Sequence, residues 1–245
     1  MTDMSNMDEH QQVRAWAEPF GLELTTDDID RLGHFLDLLE AANQRMNLTR
    51  ITDRQEAWTR HVLDSLTLLP FIEAAGATNL LDIGSGGGLP GLPLAIVCPE
   101  LPITLLEATG KKARYLAETA DALGLTNITV LRDRAETLGA LDGGGRDAWD
   151  VVTARAVGPM PVLLELAIPL VQQGGWLLAI KGRRAAEEVE AASHALRVLR
   201  SEVEPMHRTP TGTIVPVRRC GPIPRTYPRR PGEPARAPLG GTPKS

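Results

Sequence analysis

Apolar positions in residues 1–75 recur at helical spacing. Ile29, Leu32, Leu36 and Leu39 share one face, and Thr25 with Asp28 makes a capping box ahead of them. "NLTRI" (Asn47 to Ile51) reads as a connection. Thr52 with Gln55 then predicts a second capped helix that carries Trp58, Val62 and Leu66. No strand alternation interrupts this stretch, so it is an N-terminal helical cap. From Asn79 the pattern changes to short apolar runs alternating with amphipathic segments. "NLLDIG", "PITLLEA", "NITVLRD", "WDVVTARA", "GGWLLAIKG" and "TGTIVPVRR" predict strands, and helices are expected over 92–97, 111–123, 160–171 and 187–199. That alternation predicts an α/β domain over residues 76–220 with a doubly wound, mostly parallel sheet. Residues 221–245 are dense in proline and arginine and predict a flexible basic tail.

A chain of 245 residues with 42% hydrophobic content suffices for one large α/β domain with additions. The formal net charge of −5 excludes a uniformly basic nucleic-acid binder, but the charge is uneven. Residues 1–204 hold 18 Lys/Arg against 30 Asp/Glu, whereas residues 205–245 hold eight against one. An acidic body with a basic tail fits a polyanionic partner or a merely solubilising tail. Cys98 and Cys220 lie far apart without metal-ligand spacing, so no metal and no disulfide framework is expected. The start "MTDMSNMDEHQQ" lacks the basic-then-apolar plan of a signal peptide. The longest apolar candidate, residues 162–180, is broken by Glu165, Pro169 and the Gln172–Gly175 turn. A soluble, cytoplasmic, monomeric protein without membrane contact is the expectation.

Candidate chemistry concentrates in "LLDIGSGGGLPGLPLA", Leu80 to Ala95. A dinucleotide fingerprint requires G-x-G-x-x-G directly after the first strand. Counted from Gly84 the third position falls on Leu89; counted from Gly86 it fits formally through Gly88 and Gly91. That second register leaves an NAD-dependent oxidoreductase as an alternative. The closer match is the D-x-G-x-G of Rossmann-like, class I S-adenosylmethionine-dependent methyltransferases, formed by Asp82, Gly84 and Gly86. S-adenosylmethionine carries no phosphate, and an acid beside the loop suits its cationic end while repelling a pyrophosphate. Glu107, 23 residues after Gly84, ends the second strand where ribose hydroxyls need an acceptor. "DRAE" (Asp133 to Glu136) follows the third strand, where such folds contact adenine.

Amine methylation commonly uses an Asn/Asp-Pro-Pro-aromatic motif after the fourth strand, where this chain has "TARAVGPMP". Cytosine C5 methylation needs a cysteine nucleophile, and Cys98 and Cys220 read as core or incidental thiols. A nitrogen with a free lone pair needs neither device, only alignment and electrostatic management.

"NLTRI", "RHVLDSL", "LLDIGSGGGLPGLPLAIVCPE", "LLEATGKKARYL", "RAE", "TARAV", "GGWLLAIKG" and "YPRRPGEPARAPL" together resemble the glucose-inhibited division protein B family. Its members are bacterial enzymes that methylate N7 of a guanine in 16S ribosomal RNA. The resemblance implies a cytoplasmic enzyme using S-adenosylmethionine on 16S rRNA or the 30S subunit. It implies cofactor contacts at Gly84, Leu89, Glu107, Ala135, Glu136 and Arg155, beside Asp82 and Gly86 of the loop. Guanine N7 is nucleophilic when neutral, which fits the lack of a general-base candidate. Arg155 and Lys181 then position the cofactor, guanine O6 or a phosphate, unless each is only an ion-pair partner. His61 and Asp64, three apart on a helix, could line the acceptor pocket beside Asn47, or be a packing histidine and a capping acid. Lys111, Lys112 and Arg114 of "GKKAR" form a basic edge for RNA phosphates, or a solvated helix start. The family usually has a basic residue ahead of the late strand, where this chain has "PTGTIV". A third reading is a non-catalytic ribosome-assembly factor that retains the fold.

Overall fold

Capping chemistry sets the boundaries of the N-terminal helices in the computed structural model, which describes residues 8–240. The first seven residues of the expected cap and the last five of the expected tail lie outside the described residues. Asp8 caps α1 (Glu9–Ala17). Thr25 and Asp28 close the expected capping box on α2 (Thr26–Met46), with Thr25 Oγ1 accepting from the Asp28 N–H at 3.1 Å. The next helix starts one residue later than its sequence predicts. Asp53 rather than Thr52 is its N-cap, and Asp53 Oδ1 accepts from the Glu56 N–H at 2.8 Å. From there α3 (Arg54–Ala57) widens into a π-helical stretch, Trp58–Leu63, before α4 (Asp64–Leu66) and α5 (Leu69–Ala74).

The sheet begins at β1 (Leu80–Ile83), followed by α6 (Gly91–Val97), β2 (Ile103–Leu106), α7 (Gly110–Ala122) and β3 (Ile128–Leu131). After α8 (Ala135–Leu138) come β4 (Trp149–Arg155), α9 (Met160–Ala167) and β5 (Val171–Lys181). The order β3-β2-β1-β4-β5 is parallel throughout, and the central strand β1 is buried at every residue while the edge strand β3 stays partly exposed. The expected α/β class, doubly wound and mostly parallel, is what the structure has. The predicted helix over 187–199 is two helices, α10 (Ala185–Ala191) and α11 (Ser193–Val198). Two short strands went unread in the sequence, β6 (Ser201–Val203) and β7 (His207–Arg208), because neither is long enough to show alternation. Both pair antiparallel with β8 (Thr213–Arg219), itself antiparallel to β5.

The sheet separates two cores. On one side the cap residues Leu32, Phe35, Trp58 and Leu66 pack in one cluster with Leu92 and Leu116 of the crossover helices. The other holds Leu163 and Leu164 of α9, Ala195 and Leu199. The described part of the tail corrects the expectation of flexibility. Residues 221–240 include α12 (Glu233–Arg236), and Ile223 and Leu239 are buried in the second core. Arg229 clasps Glu165 of α9, a carboxylate with 0% exposure. Arg229, one of the arginines that mark a solvated tail in the sequence, thus spends its charge on a buried partner.

Candidate active site

Chain order reverses between β1 and β4, and ligands of open α/β sheets bind at such a switch point beyond the carboxyl ends of the strands. A cleft of about 770 Å3 lies there. Its floor is the glycine loop. Gly84, Gly86 and Gly88 take φ values of 65°, 53° and 90°, a region that side chains other than glycine rarely occupy. The loop is tied to the next strand, because the Gly84 N–H donates to Leu106 O at 2.8 Å. Gly84, Ser85, Gly86, Gly87 and Leu89 all face the cleft.

Asp82 does not. It is completely buried, with Oδ1 accepting from Thr153 Oγ1 at 3.0 Å and Oδ2 from the Gly91 N–H at 3.3 Å. Burial, against those hydrogen bonds, pushes its pKa up to about 7. The expected direct contact of Asp82 with a cofactor is therefore corrected: the carboxylate fastens β1 to β4 and to the start of α6. A Cβ at Gly91 would stand 2.3 Å from Leu105 Cδ2, so glycine is what lets this helix approach the strands. The same contact answers the dinucleotide register. In a pyrophosphate site the first amides after the loop face phosphate, whereas here the amide of Gly91 faces a carboxylate.

Glu107 lies at the end of β2 and is 7% exposed. Its Oε2 accepts from the Gly86 N–H at 3.1 Å and its Oε1 from the Thr109 N–H at 2.7 Å. Glu136, also 7% exposed, opens α8 beside Ala135, and its Oε1 accepts from the Gly232 N–H of the tail at 2.9 Å. These acids stand at the ends of β2 and β3, outside the lining of the cleft itself. Each oxygen of Glu107 has a second lone pair to offer.

The far wall comes from the cap. His61 in the π-helical stretch and Asp64 just after it both line the cleft. Arg155, at the end of β4, donates from Nη2 to His61 Nδ1 at 3.3 Å, which leaves His61 Nε2 to donate to Thr49 Oγ1 at 2.8 Å. Burial and the Arg155 charge push the His61 pKa down to about 4, so the ring is neutral near pH 7. The other guanidinium nitrogen, Arg155 Nη1, is buried with no hydrogen-bond partner. Burial lowers the Arg155 pKa while the Asp64 charge opposes that shift. Asp64 is 2% exposed and accepts from the Thr211 N–H at 3.0 Å and from Thr211 Oγ1, so it anchors the turn ahead of β8. Lys181, at the end of β5, donates to Gly158 O at 2.6 Å and pairs with Glu188 at 2.6 Å.

Of the other expected residues, Lys112 reaches the cleft. Lys111 donates to Arg45 O at 3.2 Å outside it, and Arg114 is exposed on α7 away from the lining. Asn47 is a left-handed cap (φ 51°) that ends α2, and its neighbours Leu48 and Thr49 line the cleft in its place. Sequence reading missed Thr49, Arg50, Arg60, Glu188 and Thr211, all in the lining. "NLTRI" contained the first two as a connection; nothing in "AAEEVEAA" marks Glu188.

Two buried groups make opposite pH demands. The His61 pKa is depressed relative to its unfolded value, so its contribution is complete above about 6.5 and is lost as the pH falls toward 4. The Asp82 pKa is raised, so its contribution is complete below about 3.8 and is lost as the pH rises through 7. Their effects offset one another in the wild type. His61→Gln is expected to gain stability relative to wild type as the pH drops from 6.5 to 4.5, by about 1–3 kcal/mol. Denaturant midpoints at both pH values test this, and parallel shifts of the two proteins would refute it.

Residues 28–213 match the model of the GidB family, described as rRNA small subunit methyltransferase G. The chain belongs to this family. GidB relatives include a ribosomal RNA small subunit methyltransferase G of Sorangium cellulosum, 51% identical over 86% of this chain and 87% of that protein. Another, from Chloroflexus aggregans, is 45% identical over 94% of this chain and 96% of its own length. Among solved structures, an O-methyltransferase from Bacillus cereus in complex with SAH superposes with a TM-score of 0.57 at 16% identity, covering 84% and 99% of the two chains. A SAM-dependent methyltransferase from Aquifex aeolicus gives 0.54 at 16% identity over 71% and 97%. At that identity these two structures bear on the fold alone, and it is the methyltransferase fold.

No helix among the described residues is long and apolar enough to cross a membrane. Among the described residues, no group of three or more His, Cys, Asp or Glu is placed to hold a metal ion.

Proposed function

We propose that the protein transfers a methyl group from S-adenosylmethionine to N7 of a guanine in 16S rRNA, acting in the cytoplasm as a monomer. The observation that carries this reading is a bare-backbone glycine floor in one cleft with Arg155, a lining residue whose Nη1 is buried without a hydrogen-bond partner. A buried, unpaired donor costs about 1–3 kcal/mol, which an anionic acceptor arriving in the cleft offsets. The carboxylate of the cofactor is such an acceptor, so the residues present fit the group. Gly84, Gly86 and Leu89 would seat its aminoacyl end, Glu107 would take its ribose hydroxyls, and Ala135 with Glu136 would border the adenine. S-adenosylmethionine supplies an electrophilic methyl on a sulfonium.

The protein has little proton chemistry to perform. Guanine N7 attacks through a lone pair it already has, and neutral His61 is committed to Thr49 and Arg155. What the cleft does is hold the base in line and exclude water. The product base is cationic, and the acidic Asp64 and Glu188 in the lining tolerate that charge. Around the mouth, Arg50, Arg60 and Lys112 would meet RNA phosphates and fix the orientation.

Two measurements test the proposal. S-adenosylhomocysteine should raise the melting temperature and NAD should not; the reverse would restore the dinucleotide reading. Tritiated methyl transfer to 30S subunits from a strain lacking the gene should label one guanine, and that site should become cleavable by borohydride and aniline. Binding without incorporation would favour the assembly-factor reading.

A further inference from the structure

N7 by itself cannot tell the enzyme which purine it holds, because adenine presents the same nitrogen. What differs lies beside it. Guanine shows an acceptor at O6 and donors at N1 and N2, whereas adenine shows a donor at N6 and an acceptor at N1. A site that admits only guanine needs a donor next to an anionic acceptor.

The lining of the cleft offers two carboxylates for that task. Asp64 is spent, since both its oxygens hold Thr211 and it is 2% exposed. Glu188 is different. Its Oε2 is pinned twice, by Lys181 Nζ at 2.6 Å and by the Met160 N–H at 3.1 Å. Among the described residues its Oε1 accepts no hydrogen bond, and the side chain is 27% exposed on the cleft. Lys181, 8% exposed, gives one proton to Glu188 and one to Gly158 O, which leaves a third. The pair therefore presents one free ammonium proton beside one free carboxylate oxygen, held rigidly between the ends of β4 and β5 and the helix α10.

We propose that Glu188 is a specificity-determining residue that accepts from N1 and N2 of the target guanine while Lys181 donates to O6. The inference rests on the guanine-N7 reading. An adenine in the same place would set its N1 lone pair against a carboxylate and its amino group against an ammonium, so both contacts would be repulsive. This is specificity by mismatch, the device that discriminates most strongly when a buried polar group is left unpaired.

The test compares 30S subunits reconstituted with 16S rRNA carrying guanosine, inosine or adenosine at the mapped target position. Inosine keeps O6 and N1–H but lacks the N2 amino group. Wild-type kcat/KM is expected to fall about tenfold from guanosine to inosine and at least a hundredfold to adenosine. Glu188→Gln, nearly isosteric, should lower the guanosine rate and shrink the guanosine-to-inosine ratio to within about threefold. Its S-adenosylhomocysteine affinity should match wild type, while loss of the ion pair to the nearly buried Lys181 lowers its melting temperature without unfolding it. If Glu188 merely braces Lys181 and Met160, both substrates will fall by the same factor and the ratio will survive, which overturns the proposal. A wild type that methylates inosine as fast as guanosine overturns it as well. A wild type inactive on the guanosine subunit strikes down the underlying methyltransferase reading and this inference with it.

Discussion

Arg229→Ala is expected to cost about 3–5 kcal/mol of stability, a fall in Tm of roughly 6–20 °C in a chain of this size. Glu165 is completely buried in α9 and depends on Arg229 for three contacts: its Oε1 accepts from the backbone N–H at 2.9 Å and from Nε at 2.7 Å, and its Oε2 accepts from Nη2 at 2.5 Å. Removing the guanidinium leaves a carboxylate in the second core with neither water nor cation. Arg229 also ties the tail to itself through Ala237 O at 2.8 Å, so the segment over α8 and α9 loosens with it. Because the penalty comes from the stranded charge, Arg229→Met combined with Glu165→Leu should recover most of the loss. Thermal melts of the single and double variants check the prediction. A single variant melting within about 2 °C of wild type would show that the clasp is not what holds the tail.

Arg155→Lys is expected to reduce methyl transfer by about 100-fold or more, and Arg155→Ala by at least as much. Lysine keeps the charge but cannot reproduce the planar fork, in which Nη2 serves His61 while Nη1 is buried without a partner behind the cleft wall that Arg155 lines. The single ammonium would have to choose between them. Loss of the His61 contact also frees the imidazole that Thr49 and Arg155 jointly orient. S-adenosylhomocysteine affinity should fall at least tenfold in the same variant, which separates a lost ligand contact from general unfolding. Single-turnover rates and titration calorimetry on one preparation measure both. Activity within threefold of wild type would remove Arg155 from the binding machinery.

Of these two residues, the role of Arg155 could be read in advance and that of Arg229 could not. Arg155 stood out in "TARAV" because the strand ends there and the resemblance marks the position. Arg229 sat in "YPRRPGEPARAPL", where proline and arginine density argues for solvated, extended chain, and only the α9 surface reveals its partner 64 residues away. Asp82 shows the converse. Its place beside the glycines suggested a ligand contact, yet the fold uses both oxygens to bind Thr153 and Gly91.

Local pattern determined the parallel α/β plan, the Thr25–Asp28 cap, the glycine loop after β1 and the acid at the end of β2. Periodicity, capping and the conformational freedom of glycine act over a few residues, so they are written where they act. Tertiary structure decided which carboxylates are free. Asp64 and Glu188 are both acids on helices, and their sequence neighbourhoods do not separate them. Thr211, 147 residues from Asp64, consumes one, while Lys181 and Met160 pin a single oxygen of the other. The availability of a hydrogen-bonding atom is a property of its surroundings, and those surroundings are assembled from strand ends that are distant along the chain.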